Sequence, residues 1–518
     1  MNLAAIDIGT NSIHMIIVKA TSQRSFDVLV QEKEMVKLGV GVFSQKEINQ
    51  EAFAAGIETI TRYVQLADKY GVDEIITAAT SATREAKNGR EFLDRIIHEV
   101  GVIPQLISGK EEARLIFLAV KRAIDIGENN ALVLDIGGGS TEAVVGNQHE
   151  VLYKSSIKLG VLRLLDTVGH SDKLKKGEQE SIKTFIAEKA TKSLTKAKVF
   201  GFQKIIGTSG TIRSLGEAIL INNGRQIINS VNAEILHKED LDNLVDILVK
   251  QDQDQRSKIS GIGVNRGDAI HLGGVLLSEL LSLAENKEIV LCDASLREGL
   301  IIDYLEKNIQ ILSKPQLGLN LRERSCLQLA ARYNTDIDAK KHVAKLALQL
   351  FDQLQTLHRL DDHSRDILYH ASLIYDVGLF INFENYHKHS SYLILNGRLR
   401  GFNNAELIML SLLARYHRKT GPKKKHKKIK QLFKNQKKRL KILSGILRIA
   451  VGLDKTKNQW VEEIHCSVEG IKITIHPESD ENIDMEIWEA QRYSDTLSKV
   501  LKRKVNILNG ASPALSLK

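Results

Sequence analysis

A strand-like apolar run ending in Asp-Ile-Gly occurs twice in this chain. Ile6-Asp7-Ile8-Gly9-Thr10-Asn11-Ser12 is echoed by Leu134-Asp135-Ile136-Gly137-Gly138-Gly139-Ser140. In each copy a small polar turn follows, then another apolar strand (residues 13–18 and 143–146). The two Asp residues lie 128 positions apart, far beyond the roughly 20–50-residue period of a solenoid. This spacing predicts a duplicated domain with one phosphate-binding turn per copy.

Backbone N–H groups in a tight turn converge on an anion, and glycine permits the geometry and the close approach. Gly137, Gly138 and Gly139 supply such donors, and Thr10, Asn11, Ser12, Ser140 and Thr141 add side-chain donors. Asp7, Asp135 and Glu142 would repel a bare phosphate. They make sense if Mg²⁺ (or Mn²⁺), a hard oxygen-seeking cation, bridges them to it. One such turn could simply join two strands; two matched copies with Asp at the strand end argue for chemistry. P-loop and dinucleotide-fold readings lack their motifs.

Two more turns have anion-binding form. Gly207-Thr208-Ser209-Gly210-Thr211 follows an apolar pair and precedes a helical pattern, which makes Ser209 and Thr211 candidates at a helix start. Ala79-Thr80-Ser81-Ala82-Thr83-Arg84 follows a strand, and Arg84 could hold phosphate in bidentate fashion. In Ser108-Gly109-Lys110-Glu111-Glu112, Ser108 and Glu111 fit a capping box. Glu112 lies about 100° further round the helix. It is free to face a cleft as a general base for water, or to serve only as a charge complementing the helix dipole.

Strands alternating with helices place the first three hundred residues in the α/β class. Residues 3–8, 13–18 and 26–30 read as an antiparallel start; 51–70 and 88–100 read as helices. From about residue 313 strand signals vanish and helical patterns dominate, as at 341–357 and 364–373. Near residue 458 an α+β cap begins: 464–475 alternates like strands, and 490–502 reads as one helix.

Three cysteines, with no pair at metal-ligand spacing, read as reduced cytosolic thiols. No apolar run reaches the roughly 18 residues of a membrane span, and the N-terminus lacks signal-peptide form. A cytoplasmic chain without a membrane partner is expected. Net charge is +10, yet residues 415–441 hold fourteen Lys and Arg and no Asp or Glu. That segment alone carries +14, leaving the remainder at −4. One basic segment on a mildly acidic body points to a polyanionic partner.

Together these motifs resemble the exopolyphosphatase / guanosine pentaphosphate phosphohydrolase family. The resemblance rests on residues 5–15, 79–86, 107–116 and 135–142, and extends through Gly207 to Thr211 and Leu296-Arg297-Glu298-Gly299. Tyr386 to Ser390 and Arg415 to Lys419 carry it into the helical part. It implies actin-like domains at 1–125 and 126–312, an all-α domain similar to His-Asp phosphohydrolases at 313–457, and a small α+β domain at 458–518. It implies Glu112 as general base, Asp135 and Glu142 as metal-linked carboxylates, and Arg266 beside Thr10, Asn11, Ser12, Arg84, Ser140 and Ser209 along the phosphate path. In the helical domain His342 and Asp454 fall where metal ligands stand in that fold, but Tyr375-Asp376 replaces its central His-Asp pair, so no working metal site is expected there. A homodimer is expected.

Long inorganic polyphosphate is the expected substrate, with Arg415, His417, Arg418, Lys419, Lys423, Lys424, Lys425, Lys427 and Lys428 as its track. Guanosine pentaphosphate is the alternative, though no nucleoside pocket can be read from the sequence. RNA is a third reading. Only Tyr416 and Phe433 interleave with the lysines, so base stacking is expected to be weak and nucleic acid an improbable partner.

Overall fold

The two Asp-Ile-Gly runs begin two sheets built on one plan. The computed structural model describes residues 1–22, 25–168, 172–308, 319–333, 335–423, 429 and 432–508. In it β1 (Asn2–Ile8), β2 (Ile13–Ser22) and β3 (Ser25–Glu34) form an antiparallel meander. β4 (Glu74–Ala79) pairs parallel with β1, and β5 (Gln105–Leu106) completes the order β3-β2-β1-β4-β5. β6 (Ala131–Ile136), β7 (Thr141–Gly146) and β8 (Val151–Ile157) repeat the meander, and β9 (Lys204–Thr208) takes the place of β4. β10 (Ile235–His237) and β11 (Glu288–Leu291) extend this sheet to β10-β11-β9-β6-β7-β8. β1 and β6 are continuous apolar runs because each is central and buried on both faces.

Helices cover these sheets. α1 (Gln50–Lys69) starts at Asn49, whose side chain accepts from the Ala52 N–H, and buries Phe53, Ile57 and Ile60. α2 (Gly109–Ala123) buries Leu115, Ile116 and Phe117. α3 (Lys176–Val199), α4 (Gly210–Asn222) and α5 (Ile270–Leu283) surround the second sheet's core. α6 (Leu296–Asn308) lies so close to α2 that a Cβ at Gly299 would sit 2.2 Å from the Leu115 carbonyl oxygen. The helix expected over 88–100 is α-helical only at Gly89–Arg95. It widens to a π-turn at Ile96–Val100, where the Gly101 N–H bonds back to Ile96 and Ile97.

The chain divides into two compact units, Met1–Leu317 and Gly318–Lys518. The second holds α7 (Leu321–Arg332), α8 (Ile337–Gln353), α9 (Asp362–Ile374), α10 (Tyr386–Asn396), α11 (Asn404–Tyr416) and α12 (Lys434–Gly452). A hairpin of β12 (Glu463–Glu469) and β13 (Lys472–Glu478) turns at Gly470, which has φ +54°. The single helix expected over 490–502 is two, α13 (Asp484–Tyr493) and α14 (Asp495–Leu501). Ser494 breaks it: its N–H and hydroxyl both bond the Gln491 carbonyl, an i−3 partner. β14 (Lys504–Ile507), which the sequence reading missed, pairs parallel with β13. One apolar core joins the helices to this sheet, from Cys326 through Leu410 and Ile446 to Ile475 and Ile507. Among the described residues no helix is long and apolar enough to cross a membrane.

Candidate active site

Residues in register on neighbouring strands share one face of a sheet. Across the first sheet Asp7 stands opposite His14, and His14 opposite Lys33. Across the second, Asp135 stands opposite Glu142, and Glu142 opposite Ser156. Two equivalent rows therefore arise from the duplicated topology. Asp7, His14, Lys33, Asp135 and Glu142 line one cleft. Ser156 Oγ donates to Glu142 Oε1 at 2.7 Å and fixes its direction.

Each row is bordered by its glycine turn. The Gly9 N–H donates to the Ser12 carbonyl (3.2 Å) and the Gly137 N–H to the Ser140 carbonyl (2.9 Å). The turns approach each other closely. A Cβ at Gly138 would lie 3.0 Å from Thr10 Cγ2, and one at Gly139 2.5 Å from Ser81 Oγ. Thr10, Asn11, Ser12, Gly137, Gly138, Gly139 and Ser140 all line the cleft. Thr141 does not contribute its hydroxyl: it is fully buried and donates to the Leu159 carbonyl at 2.7 Å.

α2 supplies Glu112. The Ser108 side chain caps the helix by accepting from the Glu111 N–H at 3.2 Å. The expected reciprocal bond from Glu111 is absent. Its carboxylate instead accepts two bonds from Arg114, at 2.7 and 2.9 Å, because a guanidinium fork offers two charge-assisted donors against one amide. Glu112 turns into the cleft and is only 9% exposed. Its Oε2 accepts no hydrogen bond, and Arg84 Nη1 lies 3.6 Å away. Arg84 also donates to the Ile107 carbonyl at 2.7 Å; it braces Glu112 beside the cleft wall.

The opposite wall is cationic. Ser209 has φ +111° and ψ 164°, a conformation that L side chains rarely adopt, and its hydroxyl accepts from the Ile212 N–H. Strain of this kind persists where the surroundings impose it, often at binding sites. Arg266 lies against the backbone at Gly210, where a Cβ would meet Nη2 at 1.9 Å. Thr211, Arg213 and Arg297 also line the cleft. Arg297 Nη1 lies 3.0 Å from His14 Nδ1, and Ser12 Oγ 2.7 Å from His14 Nε2. A guanidinium can only donate, so Nδ1 accepts and Nε2–H donates to Ser12. Burial and then Arg297 hold this imidazole well below its ordinary pKa, consistent with a neutral ring.

The carboxylates are shifted the other way. Burial pushes Asp7 up to about 7, partly offset by Arg297. Burial and Glu142 push Asp135 up to about 8. Burial raises Glu142 to about 7 against its bonds from Ser156 and Ser140. Burial, then Glu142, raises Glu112 well above the carboxylate range. Burial and mutual repulsion oppose ionising all four together, and a bound cation would relieve that repulsion. Asp7 Oδ1 and Asn11 Oδ1 are buried without partners, which fits oxygen ligands awaiting a hard cation. Asp7, Asp135 and Glu142 share the cleft but not a cage: among the described residues no group of three or more His, Cys, Asp or Glu is set to hold a metal. Mg²⁺ does not require one, since it usually takes one or two carboxylates together with waters and substrate phosphates.

His14, Lys33, Arg213, Arg297 and Ser156 were not singled out from sequence as site residues. The offset that relates Asp7 to Asp135 also relates His14 to Glu142, and would have flagged His14.

The second unit contains a buried cation at its His-Asp-like centre. Lys340 on α8 is bonded to the Asp376 carboxylate, and its Nζ donates to Tyr375 Oη at 3.1 Å. Lys340 and Asp376 are each 2% exposed. Asp454, pushed up to about 6 by burial, accepts from the Gln459 N–H. His342 is two residues from Lys340, about 200° round the helix, so it does not share the face that meets Asp376. Asp376→Asn should destabilise the protein by about 3–5 kcal/mol, because it leaves a buried ammonium without its counter-ion. Chemical denaturation checks this; a loss under about 1 kcal/mol would show that the pair is not a buried ion pair.

The expected track is altered in one member. His417 is fully buried, bonded to the Ala414 carbonyl and Tyr386 Oη, and burial takes it down to about 3. It belongs to the core. Arg415 and Arg418 are partly buried; Lys419 and Lys423 are exposed. Lys424, Lys425, Lys427 and Lys428 lie outside the described residues.

Duplicated three-strand meanders, each carrying an Asp-Ile-Gly turn after its first strand on one shared cleft, define an actin-like fold. The Ppx/GppA phosphatase family matches residues 16–308, and its domain III matches residues 321–493; the chain belongs to this family. It is similar to an exopolyphosphatase from Cytophaga hutchinsonii, at 29% identity and TM-score 0.57, over 59% of this chain and 98% of that one. It is also similar to the Ppx/GppA family member of Aquifex aeolicus, at 27% identity and TM-score 0.52, over 60% and 99% of the two chains.

Proposed function

We propose that this chain is an exopolyphosphatase that removes terminal phosphates from long inorganic polyphosphate. The observation that carries the choice of substrate is the cleft lining: among the described residues it holds four cations and three glycine-bearing turns, but no Phe, Tyr or Trp side chain on which a guanine could stack, and its one imidazole, His14, is held between Ser12 and Arg297. The likeness to a solved exopolyphosphatase and the carboxylate-free basic segment at 415–441 support the same reading.

In this mechanism the turns and Ser209 hold the terminal phosphate by backbone and hydroxyl donors. Lys33, Arg213, Arg266 and Arg297 neutralise the phosphates that follow. Glu112 accepts a proton from a water, whose oxygen bonds to the terminal phosphorus as the bond to the bridging oxygen breaks. Orthophosphate and a chain one unit shorter leave, and the Glu112 proton passes to solvent. Arg84 favours the ionised form of Glu112 at the start of each cycle. One or two of Asp7, Asp135 and Glu142, with waters and substrate phosphate, would hold Mg²⁺ or Mn²⁺, which when bound offsets the charge of the phosphate oxygens.

Phosphate release measured side by side tests the substrate. We expect kcat/KM on long polyphosphate to exceed that on guanosine pentaphosphate by about ten-fold or more, or about 1.4 kcal/mol in transition-state discrimination. The reverse order would reassign the chain to the guanosine pentaphosphate branch.

A further inference from the structure

Phe383, Tyr386 and Arg418 stand together on the second unit although Arg418 is far from the other two in sequence. The Arg418 guanidinium lies 4.5 Å from the Tyr386 ring centroid and 5.8 Å from that of Phe383. The two rings are 6.2 Å apart. Phe383 is 74% exposed, and Phe380 and Ile381 beside it are exposed as well. Lys419 Nζ donates to Asn385 Oδ1 at 3.3 Å, which draws a second cation to the same shelf. Burial, followed by Lys419, Arg415, Arg418 and Lys388, takes the neighbouring His387 down to about 4, consistent with a cationic field beside the shelf. Between residues 377 and 419 there are six Lys and Arg and only two carboxylates, Glu384 and Glu406. Glu406 is already paired with Arg322 at 2.8 Å.

A bare polyphosphate chain has charge but no flat apolar face, so it gives no use to an exposed phenylalanine. A single-stranded nucleic acid has both: phosphates for a cationic groove and bases that stack on aromatic rings. We propose that this shelf binds single-stranded nucleic acid, with a base on Phe383 and backbone phosphates on Arg418, Lys419 and Lys388. Tyr386, fixed by its hydroxyl to His417 at 3.2 Å, backs the Arg418 guanidinium from within. The basic segment's poverty in aromatics is thus remedied by the fold, which brings rings from the turn before α10.

The test uses the full chain and three labelled probes at low salt: an oligouridylate of about twelve nucleotides, within the usual site sizes, its duplex with oligoadenylate, and polyphosphate of similar length. Phe383→Ala should weaken the single strand by about five-fold or more, as loss of one stacked base does. Duplex and polyphosphate affinity should stay unchanged, since neither offers a free base. Phosphate release from short substrates should also be unchanged, which shows that the variant is folded. No binding of the single strand by the parent protein overturns the proposal. So does an equal loss on all three probes, or no loss on any. A protein partner, if that is the occupant, would leave all three probes indifferent to Phe383.

Discussion

Glu112→Gln should lower kcat by about 10²–10⁴-fold, the usual contribution of a positioned general base, with KM little changed. The substitution keeps size and shape but leaves an amide that cannot take the water's proton. Arg84, 3.6 Å away, keeps its bond to the Ile107 carbonyl, so the pocket should not collapse. Glu111→Gln is the control. Glu111 meets Arg114 on a partly exposed surface, so its loss should cost at most about 1 kcal/mol of stability and leave turnover intact. Steady-state phosphate release on both variants checks this. Turnover of Glu112→Gln within two-fold of the parent would remove Glu112 from the reaction.

The parts of the site that repeat along the chain were legible in the sequence. Asp7 and Asp135, the glycine turns and the strands around them follow from local pattern, and each turn adopts the same backbone bond. Glu112 was legible because a cap fixes the helix phase. What escaped depends on pairing between strands. Lys33 reaches the cleft only because β3 pairs with β2 in a register that sets it opposite His14. Ser156 does the same opposite Glu142. Arg213 sits in a helical pattern with nothing local to mark it as facing a cleft, and Arg297, although inside a stretch that carries the family resemblance, has no periodicity that assigns it a role. Lys340 escaped for another reason: a lysine in a helix reads as solvated, and only tertiary packing shows it buried against Asp376. Ser494 and Glu111 show local rules overruled by better hydrogen-bond partners.

Excess chelator should abolish activity, and Mg²⁺ or Mn²⁺ should restore it. The same cation should stabilise the fold in a pH-dependent way. The folded values of Asp7, Asp135 and Glu142, at about 7, 8 and 7, lie above their ordinary values of 3.8, 3.8 and 4.5. The metal-free folded state therefore keeps protons that the unfolded chain has released. Its stability should fall as pH rises from about 4 to about 8. A bound divalent cation favours the ionised forms, so the gain in Tm from Mg²⁺ should be larger at pH 8 than at pH 5. Thermal unfolding with metal and with chelator at both pH values checks this. An equal gain at both would mean that these carboxylates do not hold the ion, and full activity in chelator would refute metal assistance altogether.

In the proposed reaction, water activated in this cleft attacks the terminal phosphorus. Single-turnover hydrolysis of long polyphosphate in ¹⁸O-labelled water checks this, with the first orthophosphate released from each chain read by mass spectrometry. One labelled oxygen in each orthophosphate released is the expected result. Unlabelled orthophosphate, with the label on the shortened chain or nowhere, would contradict it.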